Sequence, residues 1–248
     1  MRQPLSTLPT YYLAAVVPDD LRNKLCGLCR TPVDDGYRFC YRCHHAPAIA
    51  RPDLTGFTTY AIARQQSGTD MHRYKGRPTS AQALNAVQLL LAHGLEHTKC
   101  ASRSVGFDVD ALAVMPSRSH SAPGVRSPLQ QLCARLRPHY LPLVDLQPAP
   151  GATSDRRVHA DAFNVSDCQG LSHVLLVDDT WVSGATVMSA TTAMRLNGAE
   201  HISILVLARW LDQRYPLTKR LLDEADRGAG WISPQQACPF TLDGSCPA

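Results

Sequence analysis

The sequence has no long hydrophobic run. Although 44% of its 248 residues are hydrophobic, no stretch approaches the roughly 20 apolar residues that a membrane helix needs. Residues 1–20 contain a short apolar patch but no sustained core of the kind that a signal peptide needs. We therefore expect a cytoplasmic protein that does not interact with a membrane.

A strong excess of one charge is also absent, as are internal repeats. The formal net charge is +4, and 19% of the residues are charged. This mild basicity permits an anionic ligand but does not by itself indicate binding to nucleic acid. The sequence contains neither a Walker loop nor a dinucleotide-binding GxGxxG motif before a helix. The length allows one large domain, or a domain with a small additional module.

The nine cysteines do not resemble a disulfide framework, because their number is odd and the chain is long. Cys26 and Cys29 form one CxxC pair, and Cys40 and Cys43 form a second. Two such pairs bring four thiolates around one tetrahedral metal ion, which is typical of zinc. A closed four-thiolate site has no open coordination position, so we predict a structural Zn²⁺ site. The alternative is that the four thiols are only buried or are redox-active.

A second, more widely spaced cysteine pair lies near the C-terminus. Seven residues separate Cys238 from Cys246. Three interpretations remain open: the two thiols join a second metal site, they approach the zinc module, or they are free thiols in a loop-rich tail.

The order of hydrophobic segments predicts an α/β fold. From residue 109 onward, apolar strand-like segments alternate with amphipathic helical segments. The predicted strands are 57–63, 109–116, 140–147, 173–179 and 201–210, and the predicted helices are 81–97, 128–138 and 186–200. A polar loop is predicted at 68–80. This alternation indicates a parallel sheet flanked by helices, in which ligands bind beyond the carboxyl ends of the strands.

Composition and pattern together predict three regions. Residues 1–50 form a leader and a zinc-ribbon module, and residues 51–215 form the α/β domain. Residues 216–248 form a C-terminal tail.

The stretch VLLVDDTWVSGAT, residues 174–186, carries the most specific functional signal. A buried strand ends in Asp178 and Asp179, and a short loop leads to a helix whose first amides favour an anion such as phosphate. The hydroxyls of Ser183 and Thr186 add donors, and Gly184 allows close backbone approach. A phosphate site beside two carboxylates indicates a phosphorylated sugar. The alternative is a solvated acidic turn without a ligand.

This stretch resembles the 5-phosphoribosyl diphosphate (PRPP) binding motif of type I phosphoribosyltransferases, with Val182 where that family more often has threonine. The four-cysteine module ahead of it resembles the competence-related, ComF-like branch of the family. Three shorter stretches are similar to segments of that branch: YKG at 74–76, VMPSRSH at 114–120 and DRRVHADAF at 155–163.

The resemblance implies a type I phosphoribosyltransferase-like fold and a set of site residues. Asp178 and Asp179 are implied to bind the ribose hydroxyls of PRPP, whose diphosphate chelates Mg²⁺. Ser117 and Arg118 are implied to face the diphosphate. Arg156 and Arg157, implied to act in catalysis with the two acids, lie on or near a loop that covers the reacting carbon. The loop implied to hold the 5-phosphate consists of Thr180, Trp181, Val182, Ser183, Gly184, Ala185 and Thr186.

Three functions remain open at this stage. The first is a PRPP-dependent phosphoribosyltransferase that transfers ribose 5-phosphate to a nitrogen acceptor, such as a nucleobase, as a monomer or an oligomer. The second is a ComF-like accessory protein in DNA uptake or processing, whose zinc module contacts single-stranded DNA. The third is a domain that has lost turnover. The candidate DNA contacts interleave aromatic and basic side chains: Tyr37, Arg38, Phe39, Tyr41 and Arg42. The alternative is that the aromatic residues pack the core of the small module while the arginines remain solvated.

Overall fold

The computed structural model describes residues 7–17, 19–117, 125–151, 155–227 and 232–248. Its strands are β1 (Leu13–Ala14), β2 (Leu54–Ile62), β3 (Ala111–Val114), β4 (Leu143–Val144), β5 (Leu146–Pro148), β6 (Phe163–Val165), β7 (His173–Trp181) and β8 (His201–Leu211). Its α-helices are α1 (Tyr41–His45), α2 (Gln66–Arg73), α3 (Ala81–Glu96), α4 (Thr98–Val105), α5 (Pro128–Leu136), α6 (Ala185–Leu196) and α7 (Pro216–Arg227).

Six strands form the central sheet in the order β1-β2-β8-β7-β3-β4. The pairings between β2, β8, β7, β3 and β4 are all parallel, and only β1 runs antiparallel to its neighbour β2. β5 and β6 form a separate antiparallel pair. Helices cover the sheet, so the predicted α/β class with a mostly parallel sheet and a small N-terminal cysteine module is confirmed.

The central strands are apolar because both of their faces are covered. Residues 174–177 of β7 and 204–208 of β8 are fully buried, as expected for strands at the middle of a parallel sheet. β7 and β3 are neighbours, and the chain leaves them in opposite directions, through α6 to β8 and through α5 to β4. The carboxyl ends of β7 and β3 therefore form a topological switch point, where open α/β sheets bind ligands.

The helix ends follow local sequence signals. The Ser80 side chain accepts a hydrogen bond from the Ala83 amide and caps α3, as predicted. Ser127 and Gln130 form a reciprocal capping box at α5. Gly198, at φ +103°, follows Asn197 at the end of α6.

Several predicted boundaries were wrong. The predicted polar loop 68–80 contains most of α2, because long-range packing of Met71 overrides a polar local sequence. The predicted strand 140–147 is split between β4 and β5, which belong to different sheets. β7 continues to Trp181, two residues beyond the predicted end, since its pairing with β8 extends that far.

The N-terminal and C-terminal segments pack directly on the α/β domain. Leu25 and Leu28 of the cysteine module share one hydrophobic cluster with Phe57 and Trp181. In the C-terminal segment, the Pro239 carbonyl accepts a hydrogen bond from the Phe57 amide at 3.0 Å. The boundaries between the three predicted regions stay predictions.

A helix that crosses a bilayer must be both long and apolar. Within residues that the structure describes, no helix is both long enough and apolar enough to cross a membrane.

Candidate functional site

A cleft of about 350 Å³ lies at the carboxyl ends of β7 and β3. β7 contributes the two acids, the turn into α6 contributes small residues, and β3 leads into the opposite wall. The segment that follows α2 closes a third side. The lining residues are Tyr74, Lys75, Met115, Pro116, Ser117, Ser127, Leu129, Asp178, Asp179, Thr180, Trp181, Val182, Ser183, Gly184, Thr186 and Val187.

Asp178 lies in an environment that opposes its ionisation. Burial, followed by the neighbouring Asp179 carboxylate, raises the pKa of Asp178 to about 7 despite the opposing effect of Lys75. Its Oδ1 accepts a hydrogen bond of 2.8 Å from the Asp179 amide. Near neutral pH this carboxyl group therefore exchanges between a neutral and a charged form.

Asp179 is paired within the protein. Its Oδ2 lies 2.6 Å from the Lys75 Nζ and also accepts a hydrogen bond from the Tyr74 hydroxyl. Burial and the proximity of Asp179 raise the pKa of Tyr74 well above its usual value, so the phenol remains a proton donor. The pairing reduces the negative charge of the cleft and fixes the Asp179 carboxylate.

The turn between β7 and α6 is shorter than the sequence predicted. Thr180 and Trp181 belong to β7 and Ala185 starts α6, so only residues 182–184 connect the two elements. The first helical hydrogen bond of this turn runs from the Met188 amide to the Gly184 carbonyl. The amides that precede Met188 belong to the helix N-terminus, the part of a helix that favours an anion.

Gly184 is required at this turn for two reasons. Its φ is +80°, a left-handed conformation that favours glycine. A Cβ atom at this position would lie 2.3 Å from the Trp181 Cζ2 atom. The close approach that Gly184 permits is therefore an approach of the turn backbone to the buried Trp181 indole, against which the turn packs.

The other residues predicted to contact PRPP do not all lie at the cleft. Ser117 lines the cleft, whereas Arg118 lies outside the described residues. Arg156 and Arg157 are exposed and are not among the described residues that line the cleft. Their segment is instead held to α6 by a 2.9 Å hydrogen bond from the His159 amide to the Ser189 hydroxyl.

Tyr74 and Lys75 were not predicted as site residues. The YKG stretch contained the relevant signal, but a sequence cannot show that it meets an acid more than 100 residues away. Lys75 is the one cationic side chain among the described residues that line the cleft.

The similarity of this chain to known proteins is confined to solved structures. No protein-family model matches the chain, and no curated protein matches it. An orotate phosphoribosyltransferase from Mycobacterium tuberculosis H37Rv, in complex with Fe(III) dicitrate, is 15% identical, with 57% of this chain and 69% of that chain covered and a TM-score of 0.31.

Two further structures are similar to a comparable degree. A phosphoribosyltransferase from Corynebacterium diphtheriae is 18% identical, with coverage of 57% and 70% and a TM-score of 0.31. A purine phosphoribosyltransferase from Pyrococcus horikoshii Ot3 is 15% identical, with coverage of 54% and 89% and a TM-score of 0.31. These low values carry no conclusion about activity.

The four predicted zinc ligands converge. The Sγ atoms of Cys26, Cys29, Cys40 and Cys43 all lie within 4.8 Å of one another, and the Cys29 and Cys40 atoms are 3.6 Å apart. A tetrahedral ion with Zn–S bonds of about 2.3 Å requires sulfur–sulfur distances of about 3.8 Å. Hydrogen bonds from the other three thiols lower the pKa of Cys26. The donor set fits a closed structural zinc site.

Arg209 connects this four-cysteine cluster to the cleft. Its buried guanidinium group donates a 2.8 Å hydrogen bond to the Cys29 carbonyl and a 3.2 Å hydrogen bond to the Trp181 carbonyl. It also donates to the Thr31 hydroxyl at 2.8 Å. One side chain therefore joins the first cysteine pair to the residue beneath the Gly184 turn.

The aromatic residues around the second cysteine pair differ in burial. Tyr37 and Tyr41 are 68% and 79% exposed, while Phe39 packs against the hydrophobic core. The Arg38 guanidinium carbon lies 5.2 Å from the centre of the Phe39 ring. The module thus presents two tyrosines and adjacent basic groups to solvent.

Proposed function

We propose that the chain binds PRPP with Mg²⁺ in this cleft and transfers ribose 5-phosphate to a nitrogen acceptor, with release of diphosphate. The observation that carries the proposal is the convergence of two acids, the start of α6 and Ser117 on one cleft at the switch point of the sheet. Sugar hydroxyls need acceptors and a phosphate needs amide donors, and this cleft provides both at adjacent positions.

Each group has a separate role in the proposed complex. Asp178 and the remaining oxygen of Asp179 accept hydrogen bonds from the ribose hydroxyls. The 182–184 turn and the start of α6 bind the 5-phosphate. Lys75 and Ser117 lie toward the diphosphate. Mg²⁺ enters as part of the substrate complex and supplies charge neutralisation for the diphosphate.

In the proposed reaction the C1–O bond to diphosphate breaks and diphosphate retains the electron pair. The acceptor nitrogen then forms a bond to C1 and loses its proton to water. The protein accelerates such a step by positioning the reactants and stabilising the departing charge. The acceptor belongs to the class of nitrogen nucleophiles, with nucleobases as the first compounds to test. We propose a cytoplasmic setting for this activity, since an odd number of cysteines in a long chain does not resemble a disulfide framework.

Calorimetry with PRPP and Mg²⁺ tests the binding step. Two hydrogen bonds to charged groups contribute roughly 1.5–3 kcal/mol each. Loss of both bonds would weaken binding by roughly 10²–10⁴-fold. Because asparagine keeps an acceptor, we expect the double variant Asp178→Asn with Asp179→Asn to weaken binding by roughly tens- to hundreds-fold. Asp108→Asn, at an exposed position away from the cleft lining, is the matched control.

Ribose 5-phosphate distinguishes the ribose and 5-phosphate positions of the proposed site from the diphosphate position. It lacks the diphosphate, so Lys75→Met should weaken PRPP binding more than ribose 5-phosphate binding. Gly184→Val should weaken both, because it displaces the turn. A folded, zinc-loaded wild type that gives no heat with PRPP and Mg²⁺ would contradict the proposal. Diphosphate release with a panel of nucleobases then tests turnover.

A second candidate function rests on the exposed tyrosines. Tyr37 and Tyr41, with Arg38 and Arg42 beside them, provide stacking surfaces and cations for single-stranded DNA in a ComF-like accessory role. Such binding should weaken steeply with salt, and Arg38→Ala with Arg42→Ala should weaken it further. Fluorescence anisotropy with a labelled oligonucleotide measures both effects. No binding at low salt would remove this candidate.

A further inference from the structure

A second cluster of metal-binding side chains lies between the α3–α4 junction and the C-terminal segment. It consists of His97, Cys100, Cys238 and Cys246, whose ligand atoms all lie within 4.8 Å of one another. We propose that this cluster is a second structural zinc site, with three thiolates and one imidazole, that holds the C-terminal segment to the helices. It shares no residue with the four-cysteine site or with the cleft.

The distances in the cluster match tetrahedral coordination. The His97 Nδ1 atom lies 3.5 Å from the Cys100 Sγ and 3.6 Å from the Cys246 Sγ. A tetrahedral zinc with bonds of about 2.3 Å to sulfur and about 2.0–2.1 Å to nitrogen requires nitrogen–sulfur distances of about 3.5 Å. The side chains are therefore already spaced for the ion.

Each half of the cluster is built by a rigid local structure. His97 lies between α3 and α4 and caps both helices, and Cys100 lies in the first turn of α4. The Cys100 amide donates a 2.9 Å hydrogen bond to the His97 carbonyl. Cys238 and Cys246 flank a loop that is closed by a bond from the Cys238 amide to the Gly244 carbonyl. A zinc ion would join these two preformed pairs.

The surroundings of His97 hold its ring in place. The His93 ring packs edge-on against it with centres 4.7 Å apart. The His93 Nε2 atom in turn lies 2.9 Å from the carbonyl oxygen of Ala237, next to Cys238. Neighbouring side chains that fix the orientation of a ligand ring support metal binding, and here His93 contacts both halves of the cluster.

A disulfide explains the cluster less well than a metal. Three thiols cannot all pair with each other, and a disulfide leaves His97 without a role. None of the three cysteines is bonded to another. Four ligands of the types that zinc prefers, of which two are buried, one is half-buried and one is exposed, account for every member of the group.

Zinc analysis of the purified full chain tests the proposal. The wild type should contain about two equivalents. His97→Ala and Cys246→Ser should each contain about one, as should Cys43→Ser in the first site. His97→Cys should retain two, because a thiolate replaces the imidazole, and Cys133→Ala should retain two because this buried cysteine belongs to neither cluster. A wild type with one equivalent, or a zinc content unchanged in His97→Ala, would overturn the proposal.

Two measurements on the wild type give an answer even where a variant fails to fold. X-ray absorption at the zinc edge should show an average shell of about 3.5 sulfur and 0.5 nitrogen atoms per zinc. A shell of sulfur alone contradicts the second site. Titration of thiols after denaturation and chelation should find nine, and two fewer would identify a disulfide instead.

Discussion

Asp178 is a carboxyl group placed where both burial and a second carboxylate oppose its ionisation. The carboxylate of its neighbour Asp179 is bonded to the Lys75 ammonium and accepts a hydrogen bond from the Tyr74 hydroxyl. Two adjacent acids in one strand thus have different electrostatic roles, one with a raised pKa and one fixed as the partner of a cation. A ligand that supplies hydroxyl donors or a cation would favour ionisation of Asp178.

The raised pKa of Asp178 predicts a pH-dependent stability difference. Its pKa is about 7 in the folded protein against 3.8 as the reference value, so the native state binds the extra proton between these values and stability falls as pH rises through this window. Asp178→Asn removes the free-energy cost of ionising this carboxyl group in the folded protein, which is at most about 4 kcal/mol above pH 7. In urea unfolding, the gain in unfolding free energy of Asp178→Asn over the wild type should be larger at pH 8 than at pH 5. A gain independent of pH, or one that Asp108→Asn reproduces, would contradict this assignment.

Replacement of Gly184 by alanine should lower the free energy of unfolding for two separable reasons. Gly184→Ala places a Cβ against Trp181 at a positive φ, so it should cost about 1–2 kcal/mol for the conformation and about 1–3 kcal/mol for the overlap. Gly106→Ala is the matched control, because Gly106 has φ +88° with nothing within 4 Å of the added atom. Chemical denaturation measures both. Equal losses in the two variants would show that the indole does not constrain the turn.

At the scale of elements, the cysteine module and the cleft are joined by β8. Arg209 lies in this strand and donates to the backbone of the first cysteine pair and to the last residue of β7. The module also contributes buried leucines to the hydrophobic cluster that contains Trp181. The four-cysteine cluster and the Gly184 turn are therefore physically connected through Arg209.

Removal of the Arg209 guanidinium should destabilise the cysteine module and the cleft together. Arg209→Met leaves the Cys29 and Trp181 carbonyls buried without this donor, and we expect a loss of about 3–5 kcal/mol of stability. Zinc transfer to a chromogenic chelator should also become faster. Arg135→Met is the control, since Arg135 is exposed and bonds to Gln88. Unchanged zinc release in Arg209→Met would mean that the connection is only structural.

At the scale of the whole molecule, the C-terminal segment covers the edge of β2. The Phe240 ring lies against Gly56, where an added Cβ would be 2.6 Å from the ring. The Arg30 guanidinium donates a 2.8 Å hydrogen bond to the Pro239 carbonyl, and the Val17 amide donates to the Leu242 carbonyl at 2.8 Å. β1 and the segment around Pro239 thus both bond to β2, and the two segments also bond to each other.

Phe240 should accordingly contribute as a core residue. Phe240→Ala removes a side chain that is 5% exposed, and such truncations cost about 3–5 kcal/mol. Tyr140→Ala, at a residue that is 71% exposed, should cost little. Thermal unfolding of zinc-loaded protein measures the difference. If the two variants melted alike, the segment would contribute little packing energy.

The sequence by itself determined the features that depend on local pattern. The CxxC pairs, the alternation of apolar strands and helices, the Ser80 cap and the Asp178–Thr186 stretch each lie in a short window, so spacing and residue type were sufficient. The tertiary structure alone decided the pairings between distant residues: Lys75 with Asp179, Arg209 with Cys29, and His97 with Cys246. These contacts depend on how the sheet and helices pack, and short-range periodicity contains no information about which distant side chains that packing brings together.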